Sequence, residues 1–113
     1  MDGVSTSLLE EDAKLADIVQ RLAVVYHPER IYLFGSTARG QAGPNSDYDL
    51  MVIVPDDSPP ERRSSRLAYQ ALRGTASSAD VLVWTRQAFE ERLHLRASLP
   101  SIIIREGELL YAA

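Results

Sequence analysis

The sequence predicts an α/β (α+β) domain: one sheet of about four strands covered by helices. Three observations carry this expectation. Apolar residues at helical spacing alternate with short strand-type runs along the whole chain, and glycine or proline stands at most of the changes between them. The third observation is size, because 113 residues with 45% hydrophobic and 25% charged side chains match one globular domain over residues 1–113, led by a polar segment at 1–6.

Taken in order, Ser7-Leu8-Leu9-Glu10 fits a capping box, and Leu8, Leu15, Ile18, Val19, Leu22, Val25 and Tyr26 recur on one helical face. One helix is therefore expected up to about Tyr26, ended by His27-Pro28, because the residue before proline is pushed out of the helical region. Ile31 to Phe34 reads as a buried strand closed by Gly35, and Thr37 to Gly40 leaves room for a short helical turn. Tyr48 to Val54 is the second strand. Pro55 to Pro60 is a loop, since prolines cannot continue a ladder, and Glu61 to Arg73 regains helical period until Gly74. Ala79 to Trp84 is a third strand. Thr85 is placed to cap a helix through Arg96, Pro100 opens a shorter helix ended by Gly107, and Leu109-Leu110-Tyr111 forms a last edge strand. The sense of each strand pair is not legible at this level.

Composition removes several classes of function. With 16 acidic against 12 basic residues, the formal charge of -4 opposes attraction to nucleic-acid phosphates or anionic lipid. The absence of cysteine excludes a disulfide framework, a thiolate zinc site and a cysteine nucleophile. His27 and His94 stand far apart without companion ligands and read as structural. The longest apolar run, Leu50 to Val54, is too short to span a bilayer, so a cytoplasmic protein without a membrane partner is expected.

The chemistry lies in Gly35-Ser36 followed, after ten residues, by Asp47-Tyr48-Asp49 and the apolar run that begins at Leu50. Residues two apart on a strand share a face, so Asp47 and Asp49 point one way and Tyr48 and Leu50 the other. Two like charges held as neighbours repel and call for a counter-ion. Magnesium suits the position, because it takes hard oxygen ligands and is usually bound by one or two carboxylates plus substrate phosphates. At a strand-to-helix turn, Gly35 lets the backbone approach an anion and the Ser36 hydroxyl can donate to a phosphate oxygen. Asp80 begins the next apolar strand; were that strand to lie beside the second, all three acids would converge on one edge.

A phosphate cradle beside a carboxylate cluster suits phosphoryl transfer. In this scheme Asp47 and Asp49 hold one metal, and Asp80 completes a second metal site and takes the proton of the attacking hydroxyl. Arg39 is close enough in sequence to neutralise a triphosphate oxygen. Bland readings exist for each part: a turn for Asp47 and Asp49, a strand stop for Gly35, an N-cap for Ser36, a strand-edge acid for Asp80, a surface ion pair for Arg39. Arg62, Arg63, Arg66 and Arg73 read as a solvated helix face that can also meet an acidic partner or nucleic acid, and Phe34 and Trp84 read as core.

Gly35-Ser36-Thr37-Ala38-Arg39-Gly40, the ten-residue gap, Ser46-Asp47-Tyr48-Asp49-Leu50 and Asp80-Val81-Leu82-Val83 resemble the minimal nucleotidyltransferases of the DNA polymerase β superfamily. The likeness runs from about Ile31 to Trp84, with the tail Ile102 to Gly107 and Leu109 to Tyr111 also familial in character. The resemblance implies the nucleotidyltransferase fold with a mixed sheet, magnesium (two ions), and a nucleoside triphosphate substrate, usually ATP. It implies that Gly35 and Ser36 contact the triphosphate and that Asp47, Asp49 and Asp80 are catalytic and metal-binding carboxylates. Proteins of this minimal type commonly act as antitoxins that transfer AMP to a tyrosine of a helical HEPN-domain toxin, forming a hetero-oligomer. The residues themselves add one expectation: only residues 81–113 follow the third carboxylate, enough for two helices and an edge strand, so the acceptor would be brought by another molecule. Two alternatives stay open: an antitoxin that neutralises its partner by binding alone, through the Glu61 to Arg73 helix, and transfer to a small molecule such as an aminoglycoside.

Overall fold

A computed structural model describes residues 3–35, 48–75 and 79–113 of the chain. Among the described residues four strands make one sheet in the order β3-β2-β1-β4, from β1 (Arg30–Phe34), β2 (Tyr48–Val54), β3 (Ala79–Thr85) and β4 (Glu108–Ala112). β1 runs antiparallel to both β2 and β4, whereas β2 and β3 are parallel, so the sheet is mixed as the family likeness implies.

The pleat divides the core in two. Leu50, Val52 and Val54 of β2 point with Ile31, Leu33 and Val81 towards α2 (Ala13–Tyr26), where Leu15, Ile18, Leu22 and Tyr26 form the buried stripe that the helical spacing predicts. Met51 and Ile53 point the other way with Tyr32, and meet Phe89 of α4 (Arg86–Glu90) and Ile103 of α5 (Leu99–Glu106). A central strand covered on both faces needs a continuous apolar run, and Leu50 to Val54 are all buried.

Three helical expectations need correction. The first helix is interrupted: α1 (Thr6–Glu11) ends at Asp12, which is extended (φ -126°, ψ 91°) and caps α2 by accepting from the Leu15 N–H at 3.1 Å. Ser7 lies inside α1, so the capping box is not used. The Glu61 to Arg73 segment splits into a 3-10 turn (Pro60–Arg63) and α3 (Arg66–Ala71), with Ser64 extended between them. Its backbone is satisfied from outside: the buried Tyr26 hydroxyl donates to the Ser64 carbonyl at 2.6 Å and accepts from the Ala68 N–H at 3.0 Å. Finally, α4 stops at Glu90 instead of Arg96. Thr85 caps it as expected, at 3.2 Å from the Ala88 N–H, but Phe89 is its one buried residue and Leu95 is 50% exposed, so no apolar face sustains a longer helix.

Elsewhere the elements follow the sequence. His27 ends α2 in the left-handed region (φ 48°), Ser98 caps α5 through the Ser101 N–H, and Gly107 follows its last turn. Beside β4, Val4 bridges to Leu109, and the Ser5 N–H donates to the Leu109 carbonyl at 2.8 Å.

Candidate active site

The start of β2 is held from both sides. Phe34, the last residue of β1, is the register partner of Asp49 on one side, and Asp80 of β3 is its partner on the other. By alternation Asp49 shares its face with Met51 and Ile53, and Asp80 shares the same face with Leu82 and Trp84. The two residues therefore sit side by side on one face, their backbones one strand spacing of about 4.8 Å apart, at the start of parallel strands. Asp49 is half-buried and Asp80 exposed, so the pair opens to solvent from its β3 side.

Gly35 closes the site opposite Asp80. Its φ is +78°, a conformation side chains rarely adopt, and a Cβ placed there would overlap Asp49 Oδ2 and lie 3.2 Å from Asp49 Cγ. The backbone thus turns directly against the carboxylate, and only the absence of a side chain leaves that space. The sequence placed Gly35 as a strand stop beside an anion; the structure adds that its near neighbour is an acid.

Tyr48 points to the opposite face, as expected for the residue between the two aspartates. Its hydroxyl donates to Asp12 Oδ2 at 2.6 Å, while the other carboxylate oxygen of Asp12 caps α2. One aspartate thereby ties the strand that carries Asp49 to the helix beneath it. Burial, with the Asp12 hydrogen bond and charge adding to it, raises the Tyr48 pKa to about 12. Sequence reasoning missed this pair. The signal was available only in half, as an aspartate three residues before Leu15, the spacing of an N-cap.

Asp47, Ser36 and Arg39, the remaining residues expected at the site, lie outside the described residues, as does the turn expected over Thr37 to Gly40. Among the described residues no group of three or more acids or histidines is arranged to hold a metal. What they provide is the Asp49 and Asp80 pair. Paired carboxylates, one partly exposed, supply the hard-oxygen donor set magnesium takes when substrate phosphates and water complete its shell, so the residues present fit that ion. The described helices include none long and apolar enough to cross a membrane.

A family model described as a nucleotidyltransferase domain matches residues 13–110, a span that contains Gly35, Asp49 and Asp80. No curated protein matches the chain. Among solved structures, a chain of a toxin-antitoxin structure with AMP-PNP is 24% identical, covering 86% of this chain and 73% of that one, with a TM-score of 0.56. A Sulfolobus solfataricus protein assigned as a nucleotidyltransferase is 23% identical over 88% of this chain and 78% of its own, with a TM-score of 0.57. A chain of the complex of tri-AMPylated Shewanella oneidensis HEPN toxin with MNT antitoxin is 19% identical over 88% of this chain and 73% of that one, with a TM-score of 0.50. All three share the fold.

Proposed function

The chain belongs to the nucleotidyltransferase domain family, and from that premise we propose that it is a magnesium-dependent adenylyltransferase that moves AMP from ATP to a tyrosine hydroxyl of a helical HEPN-type toxin. On this reading it acts in the cytoplasm as that toxin's antitoxin. The observation that carries the reading is the register pairing of Asp49 with Asp80 beside the left-handed turn at Gly35. The solved structures of the same fold, one with AMP-PNP and one with an AMPylated HEPN toxin, support the choice of nucleotide and partner.

In the proposed reaction the acceptor oxygen forms a bond to the α-phosphorus of ATP. The bond from that phosphorus to the oxygen bridging the α- and β-phosphates breaks, and pyrophosphate leaves. Asp80, exposed at the open edge of the pair, takes the acceptor hydroxyl proton. Asp49, with Asp47 two residues before it in sequence, would hold magnesium, together with Asp80. Magnesium, when bound, neutralises charge on the triphosphate and orients it for in-line displacement. Gly35, with Ser36 and Arg39, would bind the phosphates, and the Tyr48 to Asp12 bond keeps the start of β2 in place.

The test is direct. Incubated with ATP, magnesium and the product of the neighbouring reading frame, the chain should add the mass of AMP to a tyrosine of that protein, and Asp49→Asn or Asp80→Asn should abolish the addition. An unmodified partner under conditions where ATP binds refutes the activity. Neutralisation by binding alone is a second reading, favoured by Val24 of α2 and Tyr69 of α3, which are 60% and 57% exposed. Toxicity suppressed as well by Asp49→Asn as by the native chain would select it.

A further inference from the structure

The outer strand β3 carries Asp80 at its start and, at its end, a groove of about 300 Å³ lined by Arg63, Val83, Trp84, Thr85, Ala88 and Arg92. We propose that this groove holds an acidic, extended segment of the acceptor protein and leads its tyrosine hydroxyl to Asp80; the proposal rests on the adenylyltransferase reading above.

Four observations converge on it. First, among the described residues β3 pairs only with β2, so one row of its backbone N–H and C=O groups faces away from the described sheet and can pair with an added strand. Second, the groove continues from the site. Trp84 lies four residues beyond Asp80 on the same face, about 13 Å along the strand at roughly 3.3 Å per residue, with Leu82, 39% exposed, between them. An extended chain lying along β3 would pass over Leu82 and place residues about four positions from its tyrosine in the groove. Third, the groove is basic on an acidic protein. Two arginines and no carboxylate line it, and among the described residues neither Arg63 nor Arg92 has an ion-pair partner, unlike Arg21 and Arg86. Fourth, its floor is ordered by contact, since the Arg92 guanidinium sits 5.8 Å from the Trp84 ring centroid and so presents its charge at the groove.

The net charge of -4 opposes a nucleic-acid backbone, which would meet repulsion beyond the groove, whereas a short acidic segment needs only the two local cations. Ile104 on α5 is also exposed, but the cavity it lines sets Glu29 and Glu90 beside Arg30 and Arg86 and so offers an acidic segment no surplus of positive charge.

Trp84 is the single tryptophan of the chain, so emission from the groove is read without another tryptophan's contribution. The probe is a tryptophan-free decapeptide with one tyrosine followed by glutamates, titrated into the whole protein. Saturable change of Trp84 emission is expected, with binding weakened at least about tenfold when glutamine replaces glutamate, and likewise in the Arg63→Ala/Arg92→Ala variant. ATP affinity should stay unchanged in that variant. Equal binding of the glutamate and glutamine peptides, undiminished binding by the variant, or tighter binding of an oligouridylate would each overturn the proposal, the last by making the groove a nucleic-acid surface. AMP transfer to the intact partner separates the two claims. Transfer that is normal in the variant removes the groove and leaves the activity, while selective peptide binding without any transfer keeps the groove and removes the activity.

Discussion

Replacing Gly35 with alanine tests the construction of the site through stability, independently of any substrate. Two costs are separable there. Holding alanine at φ +78° costs about 1–2 kcal/mol, reduced by about 0.4–1 kcal/mol because alanine also restricts the unfolded chain. The new methyl group also overlaps the Asp49 carboxylate, and forcing a packed group aside costs about 1–3 kcal/mol more. Together these come to about 1–5 kcal/mol, or roughly 4–20 °C in melting temperature for a domain of this size. Gly74 supplies the control: its φ is +87°, yet an added Cβ meets nothing within 4 Å, so Gly74→Ala should cost about 1 kcal/mol or less. Urea unfolding of the two variants gives the difference, which measures the closeness of Gly35 to Asp49. If the two agree to within about 0.5 kcal/mol, the carboxylate does not lie against the turn and the described site is wrong.

Tyr48→Phe removes the hydroxyl bonded to Asp12 and should cost about 1 kcal/mol near neutral pH, measured by the same unfolding assay. Because the folded-state pKa of Tyr48 is raised from 10.0 to about 12, the stability it contributes is fully present below pH 10 and is lost as pH climbs towards 12. Native protein should therefore lose stability across that window more steeply than Tyr48→Phe, and parallel curves would contradict the bond. Asp12→Ala removes the α2 cap and the Tyr48 acceptor together, so about 1–2 kcal/mol is expected. Combined with Tyr48→Phe, its effect should be clearly less than additive; simple additivity would show that the two side chains do not interact.

The sheet was legible because its strands are bounded by residues that cannot be anything else. Val54 is followed by Pro55, and Phe34 by a glycine in the left-handed region, so β2 runs over the expected Tyr48–Val54 and β1 gains only Arg30. The pairing of Asp49 with Asp80 was visible as a condition, that β3 lie beside β2, and the parallel register meets it. Strand order itself is a long-range property that no local spacing encodes. The helices are less legible because periodicity reports apolar faces but not which groups satisfy the backbone. Asp12 breaks the first helix through a bond to Leu15, and Tyr26, which its spacing marks as one more apolar position, holds Ser64 and Ala68 across the break in the Glu61 to Arg73 segment. Trp84 was expected in the core; it packs against the α4 and α5 cluster and also lines the groove on the outer strand.

Calorimetric titration with ATP, with and without magnesium, tests most directly whether the two neighbouring carboxylates form a metal-nucleotide site. The native chain should release binding heat only when the metal is present, and Asp80→Asn, which leaves the fold untouched at an exposed position, should weaken that binding by at least about tenfold. Binding of equal strength in the presence of EDTA, or in the Asp80→Asn protein, would contradict the account.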